Sequence, residues 1–269
     1  MEQTHYYRPT TLEETLHLLA TEQASLLAGG VLLVPFIHSQ RLNRPAIIDI
    51  SAIQELRIQV EKDGKLHIGP LCTMTLLANS QNPVLAKACS LVGNLQIRNQ
   101  ATLGGNILSG ARYSDVVPAL LLLDSSLVFQ SLWGSRTVGL ASYLAHKDQR
   151  IKKAELLVDI IVTPFPPKSP FFITKVARKQ AGTKALVTIC QIARQEGNRV
   201  SDYRLALGSA TPLPARLTEV ESLLVNPNTR KKGMLELETW LAENLAGKEY
   251  KQRAIYTTVE RALIDLLGE

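Results

Sequence analysis

The chain has 269 residues, of which 45% are hydrophobic and 20% charged, and a net charge of +6. This is the make-up of a globular chain long enough for one large or two modest cores. No apolar run approaches the roughly 18 residues that cross a bilayer. MEQTHYYRPT carries no basic-then-apolar leader, so the cytosol is the expected compartment. Aromatic residues, at 5%, are too sparse to interleave a nucleic-acid-binding face. Cys72, Cys89 and Cys190 match no zinc or iron–sulfur spacing, and an odd count argues against a disulfide framework. They are expected as small buried thiols.

In chain order, Pro9–Glu14 opens a helix, with Thr11 as cap, Glu14 closing a capping box, and Leu12, Leu16 and Leu19 on one face. Ala24–Ala28 reads as a short strand that ends at Gly29-Gly30, and 46–50 (AIIDI) as a buried strand. Glu55–Val60 and Lys65–Gly69 flank Asp63-Gly64, a hairpin signal. Pro83 suits the first turn of a helix running to about Val92. A polar, glycine-bearing loop follows, then an apolar helix over Val116–Leu123 capped by Ser114 or Asp115. Short strands at Leu127–Gln130 and Arg136–Val138 flank a Trp133-Gly134 turn. A helix at Gly139–Ala145 and a strand at Glu155–Val162 come next.

Residues 163–170 (TPFPPKSP) hold four prolines, a stiff boundary. Beyond it lie three strands, Phe171–Ala177, Ala185–Ala193 and Val200–Gly208. Helices follow near Ala215–Leu224, Lys232–Leu245 and Lys251–Leu267. Strands followed by helices define an α+β class.

Two stretches carry the chemistry. Residues 26–35 (LLAGGVLLVP) and 97–124 (IRNQATLGGNILSGARYSDVVPALLLLD) each break an apolar segment at a Gly-Gly pair. A diphosphate needs several N–H donors at close range with no Cβ in the way, and consecutive glycines at a strand end or helix start provide them. Thr102 adds a hydroxyl and Asn106 an amide. Asp115 is either a helix cap or an acceptor for ribose or ribityl hydroxyls. Asp124 is expected as a turn residue. Neither loop is GxGxxG or a P-loop, so the usual dinucleotide and nucleotide fingerprints are excluded. His5, His17, His38, His67 and His146 are scattered, and no general base, nucleophile or metal set stands out.

On these residues the chain resembles the FAD-binding subunits of molybdenum hydroxylases, the xanthine dehydrogenase and carbon monoxide dehydrogenase group. Their flavin domain has the vanillyl-alcohol-oxidase (PCMH-type) fold. Arg98, Asn99, Ala101, Thr102, Leu103, Gly104, Gly105, Asn106, Asp115 and Pro118 fill the family's second loop. Ala28, Gly29, Gly30, Leu33 and Pro35 fill the first, where Val31 and Leu32 replace two polar residues. The resemblance implies FAD contacts from Leu27, Ala28, Gly29, Gly30, Val31, Leu32 and Leu33. It implies further contacts from Ala101, Thr102, Gly104, Gly105, Asn106 and Asp115. Leu157, after Glu155, would lie near the flavin ring, and Lys175 would touch the flavin. Thr183 stands where many members have Asp.

The implied fold is a FAD-binding domain over residues 1–163, with subdomains of about 1–52 and 53–163. A C-terminal domain over 171–269 would hold a three-stranded antiparallel sheet with helices. The implied function is electron transfer between [2Fe–2S] clusters and an acceptor such as NAD, with the clusters and a molybdopterin cofactor on partner subunits. The apolar Val31 and Leu32 leave a second reading, a flavin-fold scaffold that binds FAD weakly or not at all.

Overall fold

The structure, a computed structural model, describes residues 4–39, 45–109, 114–178, 184–196 and 199–267. The chain forms two compact units, each drawing on separated segments. Unit 1 comprises Met1–Asn79, Asn94–Ser109 and Ser125–Thr163; unit 2 comprises Ser80–Gly93, Gly110–Asp124 and Pro164–Glu269.

Strand β1 (His5–Tyr7) leads to helix α1 (Leu12–Thr21). Thr11 Oγ1 accepts the Glu14 N–H at 3.2 Å, and Glu14 reaches back to the Thr10 N–H rather than to that of Thr11, a capping box displaced by one residue. Strand β2 (Ala24–Leu27), helix α2 (Leu33–His38) and strand β3 (Ala46–Asp49) follow. Gln54–Arg57 is a single turn of 3-10 helix, not the start of a strand. Strands β4 (Gln59–Lys62) and β5 (Lys65–Ile68) form the hairpin, closed by Asp63 and Gly64 at φ 52° and 70°. Both positive angles are those of a type I′ turn, which explains the Asp-Gly pair.

Helices α3 (Met74–Ala78), α4 (Pro83–Ser90), α5 (Leu95–Gln100) and α6 (Leu103–Leu108) come next. The second glycine pair therefore sits in the first turn of α6 rather than in an open loop. Helix α7 (Val117–Leu122) is buried along its whole length. The N-cap position is Val116, and Ser114 Oγ, two residues ahead, accepts the Val116 and Val117 N–H groups at 3.1 and 2.9 Å. Strands β6 (Ser126–Ser131) and β7 (Gly134–Gly139) pair through Ser131 and Gly134, so the turn is Leu132-Trp133. Helix α8 (Leu140–Ala145) and strand β8 (Leu156–Val162) complete unit 1.

Strands β9 (Phe171–Val176), β10 (Val187–Glu196), β11 (Arg199–Gly208) and the two-residue β12 (Ala215–Arg216) precede helices α9 (Thr218–Leu224), α10 (Arg230–Asn244) and α11 (Glu249–Leu267). Ala215–Arg216, read from sequence as the start of a helix, is an edge strand beside Ala206 and Leu207.

Unit 1 holds a parallel three-stranded sheet, order β1-β3-β2, and a five-stranded antiparallel sheet, order β4-β5-β8-β6-β7. Leu16 and Leu19 of α1, Ile48 of β3, Leu56 of the 3-10 turn and Leu156 of β8 share one core. Unit 2 is an antiparallel sheet, order β12-β11-β10-β9. The three expected strands thus gain a short fourth. Ile189, Tyr203 and Leu205 meet Leu224, Leu237, Leu241, Val259 and Leu263 of its helices. Helices α4 and α7 also pack on this sheet. Gly208 allows the approach of α7, because a Cβ there would lie 2.6 Å from Pro118 Cγ. All three cysteines are buried, and burial pushes the Cys89 thiol up to about 12.

Candidate functional site

The first glycine loop grows from β2, which pairs in parallel with β3 until Leu27 stands opposite Asp49. The Leu27 carbonyl accepts the Ile50 N–H at 3.0 Å, and the chain then turns at Gly30, φ +71°. That left-handed angle is why a glycine stands there. The Val34 N–H closes the turn on the Gly30 carbonyl at 3.0 Å. The N–H groups of Gly29, Gly30, Val31 and Leu32 have no hydrogen-bond partner among the described residues. Four consecutive N–H groups left without a protein partner can donate to an anion, whatever the side chains. Leu32 is 45% exposed, and Val34 and Phe36 are exposed beside it.

The second loop is stitched to the turn segment Pro70–Thr73 and to the first residue of α3. Thr73 and Thr102 form an antiparallel bridge, and Met74 N–H donates to the Ala101 carbonyl at 2.9 Å. The Leu103 and Gly104 N–H groups donate to the carbonyls of Cys72 and Pro70 at 3.0 and 2.9 Å. Thr102 Oγ1 caps α6 by accepting the Gly105 N–H at 3.3 Å. The Asn106 N–H closes on the Thr102 carbonyl. The backbone donors expected of Gly104 and Gly105 are therefore engaged within the protein. Gly104 has a packing role, since a Cβ there would fall 2.6 Å from Pro70 Cβ. Gly105 does not: it is exposed, and an added Cβ would meet only Thr102 Oγ1, at 2.9 Å.

The two loops touch. A Cβ on Gly29 would lie 1.9 Å from the Gln100 carbonyl oxygen. Beside this contact is a cavity of about 230 Å³, bounded by Gly29, Arg57, Thr73, Asn99, Gln100 and Thr102 among others. Sites for whole drug-sized ligands run from about 300 Å³ upward, so this cavity suits a part of a larger ligand. Arg57, Thr73 and Gln100 were not among the expected contacts. Arg57 was hidden because its segment alternates like a strand, and no local signal marks Thr73. Leu157 is 2% exposed and stands opposite Phe129 in the five-stranded sheet, so its side chain is part of the core of unit 1.

Asp115 and Lys175 lie in unit 2 and are bonded to each other. Lys175 Nζ meets Asp115 Oδ2 at 2.6 Å, and the Thr188 hydroxyl donates to Oδ1 at 2.7 Å. Lys175 and Thr188 face each other across β9 and β10, so the sheet register itself builds the pair. Lys175 also donates to the Leu91 carbonyl at 3.1 Å. Asp115 is 4% exposed. Burial raises its pKa, against the lowering effects of Lys175 and Thr188. Asp124, φ 43°, ends α7 and holds Arg204 and Arg216 at 2.7 and 2.8 Å. Thr183 lies outside the described residues.

A parallel sheet beside an antiparallel one, two abutting glycine loops of which the first has unengaged donors, and an antiparallel sheet backed by helices describe a cofactor-binding chain of α+β class. The family model described as "FAD binding domain in molybdopterin dehydrogenase" matches residues 2–166. Over 98% of its length the chain is 29% identical to a xanthine dehydrogenase FAD-binding subunit of Escherichia coli O157:H7, covering 96% of that protein. It is 29% identical to the carbon monoxide dehydrogenase medium chain of Hydrogenophaga pseudoflava, with 96% and 95% covered. A solved structure of carbon monoxide dehydrogenase from that organism superposes with a TM-score of 0.85 at 25% identity, over 96% of this chain and 95% of that one. The chain belongs to the family of FAD-binding domains of molybdopterin dehydrogenases, and is an FAD-binding-type oxidoreductase subunit of the molybdenum hydroxylases.

The residues present fit the flavin dinucleotide. Four backbone donors with no partner among the described residues suit a diphosphate, and the exposed Gly105 puts no side chain on the second loop. No described helix is long and apolar enough to cross a membrane.

Proposed function

We propose that the chain binds FAD on the two glycine loops of unit 1 and carries electrons within a cytoplasmic, multi-subunit molybdenum hydroxylase. The four free N–H groups from Gly29 to Leu32 carry this reading. Bound FAD exchanges electrons both singly and in pairs, so it suits a relay between [2Fe–2S] clusters on one partner and an acceptor such as NAD. A molybdopterin cofactor on a second partner would be the site of substrate chemistry. The names of the relatives as dehydrogenase subunits support this division of labour.

Within unit 1 the chain's own residues have distinct tasks. Gly29–Leu32 present donors to the diphosphate. Thr102 fixes the start of α6, and its hydroxyl, whose oxygen accepts from Gly105, keeps one hydrogen to donate. Ala28, Leu33 and Asn106 border the same loops. Asp115 and Lys175 first hold β9, β10 and the start of α7 together in unit 2. We assign residues 1–163 to the flavin-binding domain and 171–269 to the C-terminal domain, with 80–93 and 110–124 of the former grouped by their contacts in unit 2.

The Gly105→Val variant tests the site. A branched side chain would press on Thr102 Oγ1, 2.9 Å from the added Cβ, and stand out from the exposed second loop, so FAD retention is expected to fall to background while the helical circular dichroism signal is kept. Undiminished FAD content in that variant would sink the assignment. Iron and molybdenum that co-purify with the chain would support the partner subunits; a chain isolated always alone would count against them.

A further inference from the structure

The cavity between the glycine loops has one charged residue among its described lining, Arg57. Its position is set by backbone contacts rather than by its own flexible stem. The Arg57 carbonyl accepts from Cys72 Sγ at 3.2 Å, the Leu56 carbonyl accepts the Leu71 N–H at 2.9 Å, and the Ile58 carbonyl accepts the Gly69 N–H at 2.8 Å. Gly69 makes that approach possible, since a Cβ there would lie 2.3 Å from the Leu56 oxygen. The same turn segment, through Cys72 and Thr73, carries the second glycine loop. Arg57 and both loops thus share one backbone frame.

One guanidinium N–H donates to the Ser51 carbonyl at 2.8 Å. A guanidinium has five donors in a planar fork suited to phosphate oxygens. No other hydrogen-bond partner of Arg57's side chain stands among the described residues. The rest of the described lining is uncharged, and Val31 and Leu32 bring no polar side chain to the first loop. Backbone donors carry only partial charge, so a diphosphate here would otherwise lack a formal countercharge.

We propose that Arg57 is the cationic ligand of the cofactor's diphosphate, standing in for the polar side chains that the first loop lacks. This rests on the flavin reading above. The test titrates FAD and ADP into the full-length chain and its Arg57→Gln and Arg57→Lys variants, at low and high sodium chloride, with melting temperatures alongside. Loss of a charge-assisted contact should weaken FAD and ADP alike by about 10- to 100-fold in Arg57→Gln. The salt dependence should flatten, and Arg57→Lys should fall between. The melting temperature should stay within about 2 °C, as for other exposed substitutions.

Affinity and salt dependence in Arg57→Gln equal to those of the parent chain would overturn this inference and leave the flavin reading standing. So would a loss of binding that tracks a large fall in melting temperature in both variants, which marks a structural role. A parent chain that takes up neither ligand would overturn the flavin reading and this inference together.

Discussion

Gly29 is the point where the two glycine loops meet, and Gly29→Ala tests that contact without touching any donor. The new Cβ would lie 1.9 Å from the Gln100 carbonyl oxygen and 2.8 Å from its carbon. Non-bonded carbon and oxygen settle beyond about 3 Å, so the loops must part by about 1 Å. Both sides of the contact are backbone, and no side-chain rotation relieves it. Moving Gln100 drags Ala101, whose carbonyl holds the Met74 N–H, and then the Thr73–Thr102 bridge.

Overpacking costs typically 1–3 kcal/mol, and the rigid neighbours put this case near 3. At about 2–4 °C per kcal/mol for a chain of this size, the transition should fall by about 6–12 °C. Gly105→Ala is the control. It gains about 1 kcal/mol of helix propensity in α6 and puts at risk a Thr102 cap worth about 1 kcal/mol, so its melting should barely move. Thermal melting of the FAD-free chain, followed by circular dichroism, reads both. A Gly29→Ala transition within about 2 °C of the parent would refute the contact and the geometry drawn from it.

Lys175→Met should destabilise unit 2 by about 3–5 kcal/mol, the usual result of leaving one member of a buried ion pair alone. In that variant the folded pKa of Asp115 stays above its unfolded value, raised by burial. The protonated carboxyl then favours the fold below the unfolded pKa, and this contribution is lost as pH rises through the folded pKa. Urea denaturation should therefore show a smaller deficit near pH 4 than near pH 7.5; an equal deficit at both would contradict the burial argument. Arg136 grips Glu155 with two bonds, at 2.7 and 2.8 Å, and this hydrogen bonding holds the Glu155 carboxyl below its ordinary value of 4.5. Its contribution is present above the unfolded pKa and lost as pH falls through the folded one. Glu155→Gln should cost about 1–3 kcal/mol at neutral pH, shrinking below pH 4.5 in the same denaturation assay. Gly64→Ala should cost about 1 kcal/mol, because its φ of +70° belongs to the type I′ turn; unaltered stability would argue against that turn.

Signals confined to a few residues were legible in the sequence. The Thr11–Glu14 box, the Asp63-Gly64 turn, the Pro83 start and the Ser114 hydroxyl bonds at the start of α7 are each decided by neighbours within four positions. The 3-10 turn at Gln54–Arg57 was not legible: its alternation resembles a strand, and only the packing of Leu56 into the core of unit 1 selects the turn. Nor was helix α6, because glycine disfavours helix. It forms because Thr102 caps it and because Leu103 and Ile107, one turn apart, are both buried. The glycine loops and their cofactor class were visible as a pair of motifs. The division of tasks between them was not, since it depends on carbonyls of Pro70 and Cys72 that take the donors of the second loop. The Asp115–Lys175 pair joins residues 60 positions apart. Read one position at a time, neither residue shows that the other is its partner.

Under the proposed function, this chain holds FAD through the backbone donors of its first glycine loop, although Val31 and Leu32 are apolar. The most direct test is the visible absorption spectrum of the purified chain, before and after incubation with excess FAD and removal of unbound cofactor. The bands of oxidised flavin, at about one FAD per chain, are the expected result. A colourless chain that takes up no FAD under these conditions would contradict it and leave a flavin-type fold serving as a scaffold.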